Sequence, residues 1–231
     1  MAASERLAGR ARAAILSLWC VAIADAAAVA AGFAYTAYLR SLDSHAIVAD
    51  LDLDRSELAY SLVGLAQMIA LIATAVLFIR WFHLAHSSLG AFSDEPRDHD
   101  SRWAIWGFFV PILNLVRPYH VMREVWTVAN RKWKDEPSWV VGLQPPSDRV
   151  TLWWTLFLMT SFLGNGVGRA AWRADTAQET LWATSATIFA DAFDILAVVA
   201  AVALVRSITG IQSPLLDRAP VTAPTAGMPS R

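Results

Sequence analysis

The stretch LWATSATIFADAFDILAVVAAVALV, residues 181–205, decides the fold. It runs for 25 residues without a lysine or arginine, yet it carries two carboxyls, Asp191 and Asp194. A helix needs roughly 20 apolar residues to cross the ~30 Å hydrocarbon layer, so this stretch is long enough to span. Within a bilayer every backbone polar group must pair inside the segment, which makes it a helix. Three further stretches read the same way, at residues 13–39, 58–80 and 150–168. The expected fold is therefore an all-α membrane protein with four transmembrane helices. A mean hydropathy of +0.40 reflects these four stretches.

The N-terminal stretch needs one distinction. Arg6, Arg10 and Arg12 precede it in the manner of a secretory signal peptide. Its apolar character continues through Phe33 and Tyr35 to Leu39, longer than a signal core, so an uncleaved span is expected. Net charge is −1, which gives no basic excess for nucleic acid. The one cysteine, Cys20, forms no intramolecular disulfide and no CxxC metal site. Seventeen arginines against two lysines suggest a bacterial genome rich in G and C.

Charge sets the expected orientation. The N-terminal tail, the 80–149 loop and the C-terminal tail together hold 15 basic residues, against 4 in the two remaining loops. The positive-inside rule then places both termini and the long loop in the cytoplasm of a bacterial cytoplasmic membrane. Residues 1–12 form a cytoplasmic tail, 13–206 the membrane domain and 207–231, with its prolines, a disordered cytoplasmic tail.

The long loop contains WAIWGFFVPILNLV, residues 103–116, too short to cross as a straight helix and interrupted by Pro111. A re-entrant or interfacial helical element over 103–133, between spans two and three, is expected. After Pro118, the residues Met122, Val125, Trp126, Ala129 and Trp133 recur at helical spacing. They suit an interfacial helix with Met122, Trp126 and Trp133 in the acyl boundary. Its basic residues Arg117, Arg123, Arg131, Lys132 and Lys134 would then hold anionic lipid headgroups or serve only orientation. Asn114 and Arg117 would satisfy carbonyls left without a donor by Pro111.

The run FFVPILNLVRPYHVMREVW, residues 108–126, resembles the signature of a bacterial integral membrane family catalogued as domain of unknown function 4328. Pro111, Asn114, Arg117, Pro118 and Glu124 are among the matching positions, and RWFHLAHSSLGAF, residues 80–92, is similar to the segment leading out of that family's second span. The resemblance implies an architecture and no activity, cofactor or substrate.

Thr184, Thr187, Asp191 and Asp194 follow a 3-4-3 spacing and share one helix face. Asp25, Gln67 and Thr160 fall at similar depths in the other stretches, so a central polar layer of Asp25, Gln67, Thr160, Thr187, Asp191 and Asp194 is expected. A central aspartate costs about 2.5–3.5 kcal/mol to insert. The carboxyls are either neutral groups hydrogen-bonding neighbouring helices or a layer that handles a proton or cation. His83, His86, His120 and Glu124 form a weak metal-ligand set at helical spacings, with interfacial histidines the plainer reading. His45 and His99 sit in loops without such a pattern. GxGxG at 164–168 follows no strand and is not a nucleotide motif.

No catalytic motif occurs and no cofactor is implied. A non-enzymatic scaffold, accessory or lipid-interacting protein is expected, with the bilayer, anionic lipids, a second copy or another membrane protein as partners. The alternative is a small proton- or cation-coupled transporter using the intramembrane aspartates.

Overall fold

A computed structural model describes residues 2–42, 50–137, 147–171, 173 and 176–219. Among these the chain is helical, without strands: α1 Ala3–Leu42, α2 Asp50–Ser87, α3 Trp103–Trp106, α4 Arg117–Lys134, α5 Asp148–Ala171 and α6 Ala177–Arg218. Helices α1, α2, α5 and α6 are long and apolar enough to cross a membrane. They coincide with the four expected stretches.

The helices overrun those stretches. At 42 residues, α6 is roughly 60 Å long at 1.5 Å per residue, about twice the hydrocarbon thickness. A capping box starts it: Glu179 N donates to Thr176 Oγ1, and Thr176 N donates to the Glu179 side chain. The disordered tail expected from Ser207 does not begin there, because α6 continues to Arg218 through Pro214. Ile208, Gln212 and Leu216 lie four residues apart on one buried face, and that packing outweighs the donor Pro214 removes. Residues 220–231 lie outside the described residues. Similarly, residues 3–12 are not a tail but the first turns of α1, with Leu7 and Ala11 buried. Ser4 donates to Asp217, so both ends of the described chain lie side by side.

Helix α1 packs against α2 on one side and α6 on the other, and α5 packs against α6. Gly32 brings α1 close to α6, since a Cβ there would stand 2.7 Å from Ile188 Cγ1. At the two ends of this series, α2 and α5 are not packed backbone to backbone among the described residues. They meet through Phe78 and Trp153, with ring centroids 5.7 Å apart.

The best-packed core is at the α4 end. There Trp81, Phe82, Val121, Met122, Leu204 and Ile208 are almost wholly inaccessible. Trp81 Nε1 donates to Thr209 Oγ1 at 3.1 Å, and Gln212 Nε2 donates to the Ala85 carbonyl at 3.1 Å. These bonds tie α2 to α6 where both overrun the apolar stretches. Helix α4 lies on this bundle, so one sequence expectation changes: Met122 is 0% exposed and packs into protein, not into acyl chains. Trp126 is half-buried against the same core, and only Trp133 of the three remains exposed. Asp135, in the left-handed region at φ 56°, ends the helix.

Residues 103–116 form α3 followed by turns and a short 3-10 turn, Leu113–Leu115. The chain bends at Pro111: its carbonyl accepts from Leu113 N at 2.8 Å around Ile112, whose φ is 68°. This is a γ-turn with positive φ, a strained conformation for a β-branched residue. Asn114 and Arg117 do not form the expected pair of carbonyl clamps. The Leu115 carbonyl is met by Trp154 Nε1 at 3.2 Å, and the Arg117 guanidinium stacks 5.0 Å from the Trp103 ring centre. Phe108 wedges between the flanking helices, its ring 6.2 Å from Phe82 and 6.1 Å from Phe157.

Candidate functional site

The carboxyls of the second helical half meet the first. Asp25 on α1 is 1% exposed. Gln67 on α2 donates from Nε2 both to Asp25 Oδ1, at 2.6 Å, and to Asp191 Oδ1 of α6, at 2.9 Å. Asp194, one helical turn on, lies on the same face of α6 as Asp191 and lines a cavity together with Thr160 of α5. Helices α1, α2 and α6 thus contribute hydrogen-bonded side chains to one layer, while the Thr160 hydroxyl of α5 donates to the Phe157 carbonyl of its own helix. Thr187 is not joined to it: its hydroxyl donates to the Ala183 carbonyl of its own helix.

Counting protons shows what the layer lacks. Each side-chain amide hydrogen of Gln67 serves one carboxyl. Asp25 Oδ2 and Asp191 Oδ2 are buried with no donor. Asp25 and Asp191 share the one amide group of Gln67 as donor, which leaves neither carboxyl fully satisfied. Among the described residues no ion pair reaches any of the three aspartates. A charge buried without a partner costs several kcal/mol, so protons or an external cation must balance the layer.

A cavity of about 310 Å³ opens beside it, between α2 and α5 and under Phe108 and Phe109. Leu18, Val21, Phe78, Trp153 and Phe157 are among the apolar side chains of its wall. Its polar side chains are Thr74, Thr160 and Asp194. Asp194 therefore belongs to both the layer and the cavity.

A second polar cluster lies at the α4 end. Glu124 accepts from His86 Nε2 at 3.4 Å, from His99 Nδ1 at 2.8 Å and from the Asp98 amide at 2.8 Å. His86 Nδ1 also meets Ser101 Oγ at 3.2 Å. Burial alone would raise the Glu124 carboxyl, but the hydrogen bonds from His86 and His99 and the Asp98 amide outweigh it and hold the group below the usual glutamate range. The His120 ring is pushed down by burial first, then by His99, Arg123 and Arg117. Of the weak metal set, the structure joins His86 and Glu124; His120 sits against His99, ring centres 6.3 Å apart. No group of three or more metal-ligating side chains with suitable geometry occurs among the described residues.

Arg131 leaves the headgroup set. It is 1% exposed and paired with Glu95, because the face of α4 that carries it turns into the bundle. Arg123 and Lys134 are exposed, Lys134 within 3.8 Å of Glu136. Sequence reasoning missed His99 and Glu95, both loop residues recruited by tertiary contact with no spacing to betray them. It also missed Thr74, a single hydroxyl in an apolar span.

A family model described as Domain of unknown function (DUF4328) matches residues 45–210. The chain belongs to this family. No curated protein and no solved structure matches it. In this DUF4328 member the matched region takes in Gln67, Thr160, Asp191, Asp194 and the whole 103–134 segment, whereas Asp25 lies before it. The family's description names no activity, so function rests on the site itself.

Proposed function

We propose that this is a non-enzymatic membrane protein that takes a lipid-like molecule into the cavity between α2 and α5. The observation that carries this reading is the cavity, whose 310 Å³ lies at the lower edge of the ~300–1,000 Å³ range of ligand sites. An apolar wall with few polar groups at one end suits an amphipathic ligand. The gap between two unpacked flanking helices supports lateral entry from the bilayer. Exposed Trp106, Phe109 and Ile112 support an interfacial position for the 103–116 segment. Exposed Arg123 and Lys134 suit anionic headgroups at the same surface. Native mass spectrometry of the full chain tests the reading. Wild type should carry a lipid-sized adduct that Ala197→Trp, which fills the cavity, removes; an adduct unchanged by that substitution would refute it.

The basic-residue asymmetry supports a cytoplasmic-membrane location with both termini inside. The Ser4–Asp217 contact supports termini on one side. Reporter fusions at Gly227 and within residues 41–54 should report opposite sides. A second reading, a proton- or cation-coupled carrier, is favoured by Asp194, which links the cation-free layer to the cavity.

A further inference from the structure

We infer that the cavity selects a lipophilic amine, with its ammonium group on Asp194 and its hydrocarbon body among Phe78, Trp153 and Phe157. This rests on the cavity reading above and adds the chemistry of the ligand's head. Three heads are compatible with an amphipathic ligand: a carboxylate, a hydroxyl and an ammonium. A carboxylate would bring a fourth acidic group to a layer that already has three and no cation. A hydroxyl would supply one donor and no charge.

An ammonium supplies three N–H donors and a positive charge. The layer offers matching acceptors. In the cavity wall stand Asp194 and Thr160, and outside the wall, in the same layer, Asp25 Oδ2 and Asp191 Oδ2 are buried without a donor. Thr74, also buried, stands in the cavity wall with a hydroxyl that has no partner. A buried polar atom without a partner calls for an explanation, and a bound ligand or ion supplies one. Aromatic rings in the wall add favourable faces for a cation. The volume accommodates roughly ten water-sized groups at ~30 Å³ each, enough for a chain of about ten carbons.

Binding has a proton consequence. The other carboxyls of the layer are Asp25 from α1 and Asp191 from α6. Gln67 from α2 and Thr160 from α5 bring no titratable group. Without ligand, three carboxyls with no cation among the described residues require at least one proton among them. An ammonium on Asp194 replaces that proton's charge, so the proton leaves to water as the amine enters. No bond to carbon forms or breaks.

The test compares decylamine, decanol and decanoate on the detergent-purified full chain at neutral pH, by native mass spectrometry. Decylamine should be retained about tenfold more strongly than decanol, a difference of about 1.4 kcal/mol, and decanoate least. Asp194→Asn should bring decylamine down to the level of decanol. A pH indicator should record about one proton released per decylamine bound to wild type, a readout that stands if the variant fails to fold. Equal retention of decylamine and decanol, or amine binding without proton release, would overturn the amine inference and leave the cavity reading intact. Retention of none of the three would overturn both.

Discussion

Glu124 and Asp25 are both carboxyls enclosed by helices, and the protein treats them in opposite ways. Glu124, with a side chain 8% exposed, has two histidine rings and a backbone amide directed at it. Asp25 has one neutral amide, which it shares with Asp191. The difference follows from what surrounds each group. At the α4 end the helices overrun their apolar stretches, and burying each large apolar side chain away from water contributes about 1.5–3 kcal/mol. A bundle assembled by that force can hold partly charged pairs. Between the spans, lipid is as apolar as leucine and supplies no such force, so close packing and hydrogen bonds must hold the helices. A carboxyl layer without cations therefore stays adjustable in charge, whereas the α4 cluster is internally balanced.

The largest expected effect comes from unbalancing the α4 end. Glu95→Ala leaves the Arg131 guanidinium buried without its carboxylate. A loss of about 3–5 kcal/mol is expected for such a stranded charge. Hydrogen exchange of α4 amides in the full chain reads it, and Arg131→Met on the same background should recover most of the loss. Protection unchanged by Glu95→Ala would mean that the pair contributes nothing.

Acid comes next. The folded Glu124 carboxyl sits below its ordinary value, so its contribution is present above that value and is lost as pH falls through the lower folded one. His120 is also held low, and protonating it below its ordinary range costs folded-state stability in the same direction. The α4 end should thus loosen as pH falls from neutral into the acid range. Glu124→Gln should cost about 1.5–3 kcal/mol at neutral pH, as charged hydrogen bonds are lost, and should flatten the lower part of the acid profile. A profile identical in wild type and variant would contradict the assignment.

The mildest change is in the membrane. Gln67→Leu removes the one donor shared by Asp25 and Asp191, and an intramembrane hydrogen bond is worth about 0.6–2 kcal/mol. Thermal unfolding in detergent should fall modestly. Crosslinking between α2 and α1 should persist, because apolar packing there remains. A larger loss than that of Glu124→Gln would reverse the contrast between the two regions.

Hydropathy made the four helices legible, since a span must be both long and apolar. The ends were hidden for specific reasons. Arg6, Arg10 and Arg12 read as a charged tail, while the stripe that packs these turns of α1 into the bundle is small: Leu7, Ala11 and Ala14. The prolines after Ser207 read as a disordered tail, yet Gln212 and Leu216 are buried on either side of Pro214. Spacing alone disclosed Asp191 and Asp194, because residues on one helix face are related by the helical repeat. Nothing local could disclose His99 or Glu95, whose partners lie 25 and 36 positions away. Arg131 was misread because its neighbours Lys132 and Lys134 do behave as surface residues.

Infrared spectroscopy of the carboxyl stretch tests the cation-free layer most directly. The full chain in lipid at neutral pH should show a protonated-carboxyl band that shifts in heavy water, and Asp25→Asn combined with Asp194→Asn should remove it. A wild-type spectrum with ionised carboxylate bands alone, unaltered by that double substitution, would contradict a proton held in the carboxyl layer.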